Sequence, residues 1–335
     1  MARLAAVGVA ALAAAPLFAP QPAPSKRDLK IAMIAKSAAN FVFIAAKQGA
    51  DDAAAALSRQ HGVRIEVLWL TPPREDAAAQ VDAVGRAVHE GAGAILVSCS
   101  DAERLTPAID AAVDHGVPVM TFDSDAARSK RFAFYGSDDD ELGAKVMTDL
   151  AGLIGAKGKV AILAGNPAAG NLKARVEGVR KTAGKFRDID VVEIVNHVET
   201  PQDAVVAVLR VNTARPDLAG WAMVGGWPLF RSSQTPNLVA DLQRRKQLKV
   251  VAVDALPDQL FYVERGLVPV LWAQPIYKWG EIGVETIVDK LLLGKSEPEI
   301  VHMEPVRVTR ASLGSWARQL KQWGFAGIPA EYLDR

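Results

Sequence analysis

Three stretches of this chain repeat one alternation: the end of an amphipathic helix, a polar residue followed by Gly, then a short apolar run that exits into a polar residue. Residues 111–123 read AAVDHG, VPVMTF and Asp123; residues 87–98 read AVHEG, AGAILV and Ser98; residues 57–71 read LSRQHG, VRIEVLWL and Thr71. Gly past a helix end supplies the left-handed cap that other residues adopt only at a cost. The apolar runs are short and rich in Val, Ile and Leu, the pattern of strands buried on both faces. Helix, Gly and buried strand in succession predict right-handed βαβ units and a parallel sheet. Ligands of such sheets bind beyond the carboxyl ends of the strands, so the polar residue at each exit is the place to look for function.

The same reading along the chain predicts strands over 30–35, 63–70, 94–97, 117–122 and 131–135, with helices over 43–60, 75–90, 102–115 and 138–154 between and after them. A second series follows. Strands are expected over 159–163, 189–195, 219–224, 250–253 and 269–273, and helices over 171–186, 202–213, 237–246, 257–265 and 278–293. The last forty or so residues show no clear period. Two βα series with no all-helical or all-β region between them predict two α/β lobes of similar size and a cleft lined by strand exits and helix starts.

Composition narrows the function classes. A formal net charge of +1 argues against nucleic acid as the main partner, because phosphate binding needs clustered excess Lys and Arg. A single cysteine, Cys99, precludes an intramolecular disulfide and reads as a small buried hydrophobe at a strand end. The first residues differ from the rest: Arg3, an apolar Ala-rich run over 4–19, then PQPAPSKRD. That is the layout of a secretory signal, too short for a bilayer span of ~20 residues and without a following Cys for a lipid anchor. Residues 1–27 are therefore expected to be a cleaved signal peptide and linker, and the mature protein to be exported and periplasmic.

Conventional catalytic signatures are missing. The chain has no HExxH, CxxC or GxSxG, and the first strand exits into KSAANFVF rather than a glycine-rich nucleotide loop. GAKGK at 155–159 has the wrong spacing for a phosphate loop and precedes a strand. The five His residues are scattered, so no metal and no cofactor are expected. The strand exits are more informative. The first series offers Lys36, Asn40 and Phe43, then Ser98, then Asp123 and Ser124. The second offers Asn171 and Lys173, then Gly226 and Trp227 in GGWPLF, then Asp254 and Gln274. Carboxylates, amides and a Lys beside aromatic faces suit a neutral, hydroxyl-rich ligand: each carboxylate accepts hydroxyl protons, each amide both donates and accepts, and a ring face covers C–H groups. Asp101 reads more simply as a helix N-cap, Ser98 and Ser124 as groups bonding nearby backbone, and Phe43 and Trp272 equally well as core. Asp123 and Asp254 resist such readings, because each ends an apolar buried strand where an unpaired carboxylate is costly.

In the motifs IAMIAKSAANFVFIAAKQGA, AILVSCSD, VPVMTFDSD, FYGSDDDELGAKV, VVAVDALPDQL, YVERGLVPVLWAQP and IGVET, taken in order, the chain resembles the type I periplasmic binding proteins of sugar ABC transporters, the ribose-binding-like group. AKSAANFVF, TFDSD and YVERG are similar to the branch that includes autoinducer-2- and rhamnose-binding proteins. The resemblance implies an α/β fold of two similar Rossmann-like lobes with parallel sheets joined by a three-segment hinge. It implies lobes of residues 28–136 plus 275–302 and 137–274 plus 303–335, with crossings near Gly136, Gln274 and His302. It also implies that Lys36, Asn40, Phe43 and Asp123 contact ligand from one lobe, and Asp254 and Gln274 from the other and its hinge. Lys173 stands where many members have Arg, and Gly226 with Trp227 where ribose binders use Asn-Asp. Ser124 replaces a frequent Arg, and Phe41-Val42 a Pro-Phe pair, which points away from a ribose pocket. The expectation is a monomeric, non-enzymatic receptor for a monosaccharide, polyol or similar molecule, handing its ligand to ABC permease membrane subunits. A sensor presenting ligand to a membrane chemoreceptor or kinase uses the same fold. A repressor is disfavoured because the hydrophobic leader occupies the place of a helix-turn-helix, and a dehydrogenase because the glycine loop is missing.

Overall fold

The computed structural model describes residues 28–334; the leader reading at 1–27 lies outside them. In chain order the first series is β1 (Leu29–Ile34), α1 (Phe41–His61), β2 (Ile65–Trp69), α2 (Ala77–His89), β3 (Ala94–Val97), α3 (Ala102–Asp114), β4 (Val119–Phe122) and β5 (Ala133–Ser137). The second is α4 (Asp139–Leu153), β6 (Lys157–Gly165), α5 (Gly170–Ala183), β7 (Asp188–Asn196), α6 (Pro201–Ala214), β8 (Leu218–Met223), α7 (Thr235–Arg244), β9 (Lys249–Val253), α8 (Pro257–Glu264) and β10 (Val270–Ala273). The chain ends with α9 (Tyr277–Leu293), β11 (Ile300–Met303), β12 (Val306–Val308), α10 (Leu313–Gln322) and α11 (Ala330–Leu333).

Two sheets result, ordered β11-β5-β4-β3-β1-β2 and β12-β10-β9-β8-β6-β7. Every neighbouring pair is parallel except β12, which runs antiparallel to β10. Strand for strand the two orders are the same, so β4 in one lobe corresponds to β9 in the other. The glycines of the recurrent pattern do what it requires of them: Gly62, Gly91 and Gly116 take φ of 63°, 73° and 83°. All four residues of β3 are fully buried, as expected of a strand covered on both faces.

The chain passes from the first sheet to the second after β5, returns after β10, and leaves again after β11. Gly136 and His302 lie inside β5 and β11, so the first and third passages come slightly later than those residues. β11 escaped the sequence reading because it is a short edge strand with exposed Ile300 and Val301. The unpatterned tail supplies β12 and α10, whose Trp316 indole donates to the Ala255 carbonyl at 2.7 Å. Trp323 then stacks on Tyr277 of the other lobe at a ring separation of 5.6 Å, so the tail straps the two lobes beside the passages.

Each lobe is keyed by helices that meet through glycines. A Cβ on Gly280 of α9 would lie 1.8 Å from the Ala46 carbonyl of α1, and one on Gly143 of α4 would lie 2.0 Å from the Arg175 carbonyl of α5. Gly280→Ala is therefore expected to force the helices apart at a cost of about 1–3 kcal/mol. Thermal unfolding should show a lowered Tm. Gly85→Ala, on the open face of α2 with nothing within 4 Å, should leave the Tm unchanged or slightly raised; equal effects of the two would refute the close-crossing account.

Candidate functional site

Asp123 and Asp254 follow β4 and β9, the equivalent strands of the two lobes, and both take left-handed backbone with φ of 57° and 75°. Asp tolerates this region better than most residues, but such a conformation still costs of order 1–3 kcal/mol and is retained where the surroundings over-determine it. The backbone N–H of each donates to the carbonyl of the next strand, Asp123 to Tyr135 at 3.1 Å and Asp254 to Trp272 at 2.9 Å. The turn lifts each carboxylate over its neighbouring strand exit. Ser98, after β3, donates its hydroxyl to Asp123 Oδ2 at 2.7 Å; the backbone N–H of Gly226, after β8, donates to Asp254 Oδ2 at 3.2 Å.

The two acids line one small space between the lobes, together with Lys36, Asn40, Phe43, Asn171, Trp227 and Gln274. Asn171, at the start of α5, donates across the lobes to Asp123 Oδ1 at 3.0 Å and accepts from Lys36 Nζ at 3.0 Å. Lys36 also faces Asp123 at 3.6 Å. Burial pulls the Lys36 ammonium toward neutrality, but Asp123, Glu199 and Glu75 outweigh it and hold its pKa above the ordinary value. On the other side, Gln274 donates to Asp254 Oδ1 at 3.1 Å and accepts from Ser137 at 3.2 Å, so both residues that flank passages between the lobes belong to the same network. Burial raises the pKa of Asp254, opposed chiefly by the charge of Arg175.

Trp227 forms an aromatic wall because glycines make room for it: a Cβ on Gly225 or Gly165 would lie 2.4 or 2.8 Å from its indole. Phe43 faces the space and also packs against Phe122 and Trp279 at ring separations of 6.3 and 6.1 Å, so its two readings both hold. Trp272 instead donates to Asp149 at 3.0 Å and is away from the site. Its volume is about 30 Å³, room for about one water and too little for a sugar ring. Larger hollows are one of about 450 Å³ beside Phe41, Ile44 and Trp323, one of about 820 Å³ beside Arg231 and Tyr332, and one of about 320 Å³ beside Asp125, Asp139 and Asn171. None of them is lined by Asp123 or Asp254, and we take the small interlobe space as the site on that ground.

Four sequence-selected residues do not line it. Ser98 and Gly226 sit behind the carboxylates and hold them. Ser124 is fully buried, and its hydroxyl has no hydrogen-bond partner among the described residues. Lys173 is exposed, which corrects its assignment: on a helix, residue 175 shares the face of 171 whereas 173 points elsewhere. Arg175 is the buried cation of α5. It donates to Asp139 at 2.7 Å, to the Val224 carbonyl at 3.1 Å and to Gln274 Oε1 at 2.8 Å. Despite that pairing, burial pushes Asp139 up to about 6. Asp101 caps α3 by accepting from Glu103 and Arg104, and burial pushes the Cys99 thiol up, away from reactivity.

Glu199 was also missed, although it lies just beyond β7 and the strand-exit rule applies there. It takes φ of 58° and accepts from the Asn166 N–H at 3.1 Å, while the Asn166 amide donates to Glu75 of the other lobe at 2.9 Å. Burial raises Glu199 to about 7, with Lys36 opposing and Glu75 adding. A carboxyl held above its unfolded value binds its proton more tightly when folded, so this contribution to stability is complete below about 4.5 and lost as pH rises through about 7. Glu199→Gln should therefore gain Tm relative to the parent as pH rises from 5 to 8. Parallel Tm–pH curves would refute the assignment.

Among the described residues, no helix is long and apolar enough to cross a membrane, and no cluster of His, Cys, Asp or Glu could hold a metal ion. The family described as periplasmic binding protein domain matches residues 31–296. The D-ribose/D-allose-binding protein of Pseudomonas aeruginosa is 26% identical over 297 residues, 84% of this chain and 89% of that protein. The ribose import binding protein of Bacillus subtilis is 25% identical over 164 residues, 49% of this chain; the chain spans about half, 52%, of that relative's length. An ABC transporter solute binding protein from Burkholderia graminis, solved in complex with D-arabinose, superposes with a TM-score of 0.81 at 24% identity, covering 88% of this chain and 99% of that one. That likeness concerns the fold.

Proposed function

The chain belongs to the periplasmic binding protein domain family, and from that premise we propose that it is the periplasmic receptor of an ABC importer for a monosaccharide, polyol or similar small hydroxylated molecule. The observation that carries the reading is the meeting of Asp123 and Asp254, from equivalent strand ends of opposite lobes, on one polar space walled by Phe43 and Trp227. Acids, amides and a Lys so placed suit the binding of hydroxyls. The relatives named for ribose and allose support the choice of ligand class.

The energetics suit reversible capture. Hydrogen bonds to charged groups are worth about 1.5–3 kcal/mol each, and association costs about 4–15 kcal/mol, so a handful of such bonds gives micromolar or tighter binding. The ligand takes over the partners that Asn171 now offers Asp123 and Lys36, and part of its binding free energy goes into the change of lobe arrangement. A thermal-shift screen over pentoses, hexoses and polyols tests this directly: a ligand at 100 times its Kd adds about 2.7 kcal/mol, and calorimetry then measures its affinity. A complete panel without a shift would sink the reading. Loss of labelled-sugar uptake on deletion of the gene separates import from ligand presentation to a membrane sensor.

A further inference from the structure

The charges that face the interlobe space do not balance. Two cations reach it, Lys36 and Arg175. Arg175 is used by Asp139, with acceptors found on all three of its nitrogens. Lys36 is paired with Asp123 at 3.6 Å. That leaves Asp254 and Glu199, both from the second lobe, with no cation at ion-pair distance among the described residues, while Glu75 adds a further unpaired acid at the Asn166 contact. Asp254 receives one neutral donor on each oxygen, from Gln274 and from the Gly226 N–H. Glu199 accepts the Asn166 N–H on Oε1, and Oε2 makes no hydrogen bond among the described residues. Each of these carboxylates retains lone pairs for a further donor.

We propose that the site is built for a hydroxylated ligand that carries a protonated amine, an amino sugar or amino polyol, in preference to its neutral counterpart, and that it rejects the corresponding carboxylic acid. This rests on the interlobe reading above and narrows it. A neutral guest closes the lobes over two carboxylates that have lost water and gained no counter-ion, the situation buried charges tolerate least. An ammonium supplies the missing charge and donors to Asp254 and Glu199, and leaves the hydroxyls for Asp123, Lys36 and Asn171. An anionic guest adds to the surplus. The aromatic walls agree, since Phe43 and Trp227 line the same space and aromatic rings attract a cation. The helix starts at α1 and α5 do not cancel the surplus: each amounts to about half an elementary charge, and their first N–H groups already bond Asn40 and Asn171. Burial raises the pKa of both acids, opposed by the charge of Arg175 at Asp254 and of Lys36 at Glu199, and a bound ammonium would add to that opposition and hold both ionised.

Calorimetry with matched probes decides it. Suitable sets are D-glucosamine, D-glucose and D-glucuronate; D-galactosamine, D-galactose and D-galacturonate; and 1-amino-1-deoxy-D-sorbitol, D-sorbitol and D-gluconate. The expected result is at least tenfold tighter binding of the aminated member in the set that fits best, with no measurable binding of its acid. Glu199→Gln should narrow the amine-to-neutral ratio to below threefold, a change that a merely structural role would not produce. A neutral or acidic member binding as tightly as the amine, or an unchanged ratio in the variant, overturns the inference and leaves the hydroxyl-binding reading standing. Absence of binding by every member overturns the inference, and absence across the whole thermal-shift panel overturns both.

Discussion

Replacing Asp123 with alanine is expected to weaken ligand binding at least a hundredfold and to lower the Tm of the unliganded protein. Its carboxylate accepts from Ser98 and Asn171 and faces the Lys36 ammonium, and all but a few per cent of both ionic side chains is buried, with 5% and 4% exposed. Two ligand hydrogen bonds lost from a charged group amount to about 3–6 kcal/mol, which is the binding effect. Removing one partner of a buried pair costs about 3–5 kcal/mol because the other charge is left uncompensated, which is the stability effect. Asp123→Asn separates them. It keeps the size and the tolerance of left-handed backbone, so it should lose affinity while retaining more of the Tm than alanine does. Calorimetry with the best-binding sugar from the screen, beside differential scanning calorimetry, reads both. Unchanged affinity in the alanine variant would place the ligand somewhere other than between the lobes.

The second large effect belongs to Arg175, which is 3% exposed and joins α5 to Asp139 on α4, to the β8 exit and to Gln274 beside the hinge. Arg175→Ala leaves Asp139 buried without its cation, at about 3–5 kcal/mol. A Tm fall on the order of 10 °C follows from about 2–4 °C per kcal/mol for chains of 150–250 residues. Arg175→Lys should restore little, because a single ammonium cannot serve three acceptors in fixed directions. The double variant Arg175→Met with Asp139→Leu should recover much of the Tm, since an apolar pair replaces a buried ion pair at little cost, yet still bind weakly because Gln274 has lost its support. A Tm of Arg175→Ala within 2 °C of the parent would contradict this account.

Much of this is legible in the sequence. Helix caps, buried strands and their order follow from local pattern, and they led to Asp123, Asp254, Lys36 and Asn171. What failed did so for identifiable reasons. Lys173 follows from its place at a helix start and from the resemblance, neither of which weighs helical phase, and Arg175, one turn on from Asn171, is the residue that phase selects. Glu199 lies beyond an outer strand whose exit was passed over. β11 and β12 are short edge strands whose residues are partly exposed, so burial leaves little periodic trace in them.

The sequence alone determined the two βα series and the polar residue at each strand end, because caps, periodicity and strand burial depend on neighbours a few positions apart. Only the tertiary structure decided which of those residues face one another: Asn171 meets Asp123 and Lys36 across 48 and 135 positions of chain. It alone decided which acids have a cation, how little room the lobes leave between them, and which face of α5 looks inward. Those are matters of distance and burial in space, where Coulomb energy and desolvation act, and spacing along a chain does not encode them.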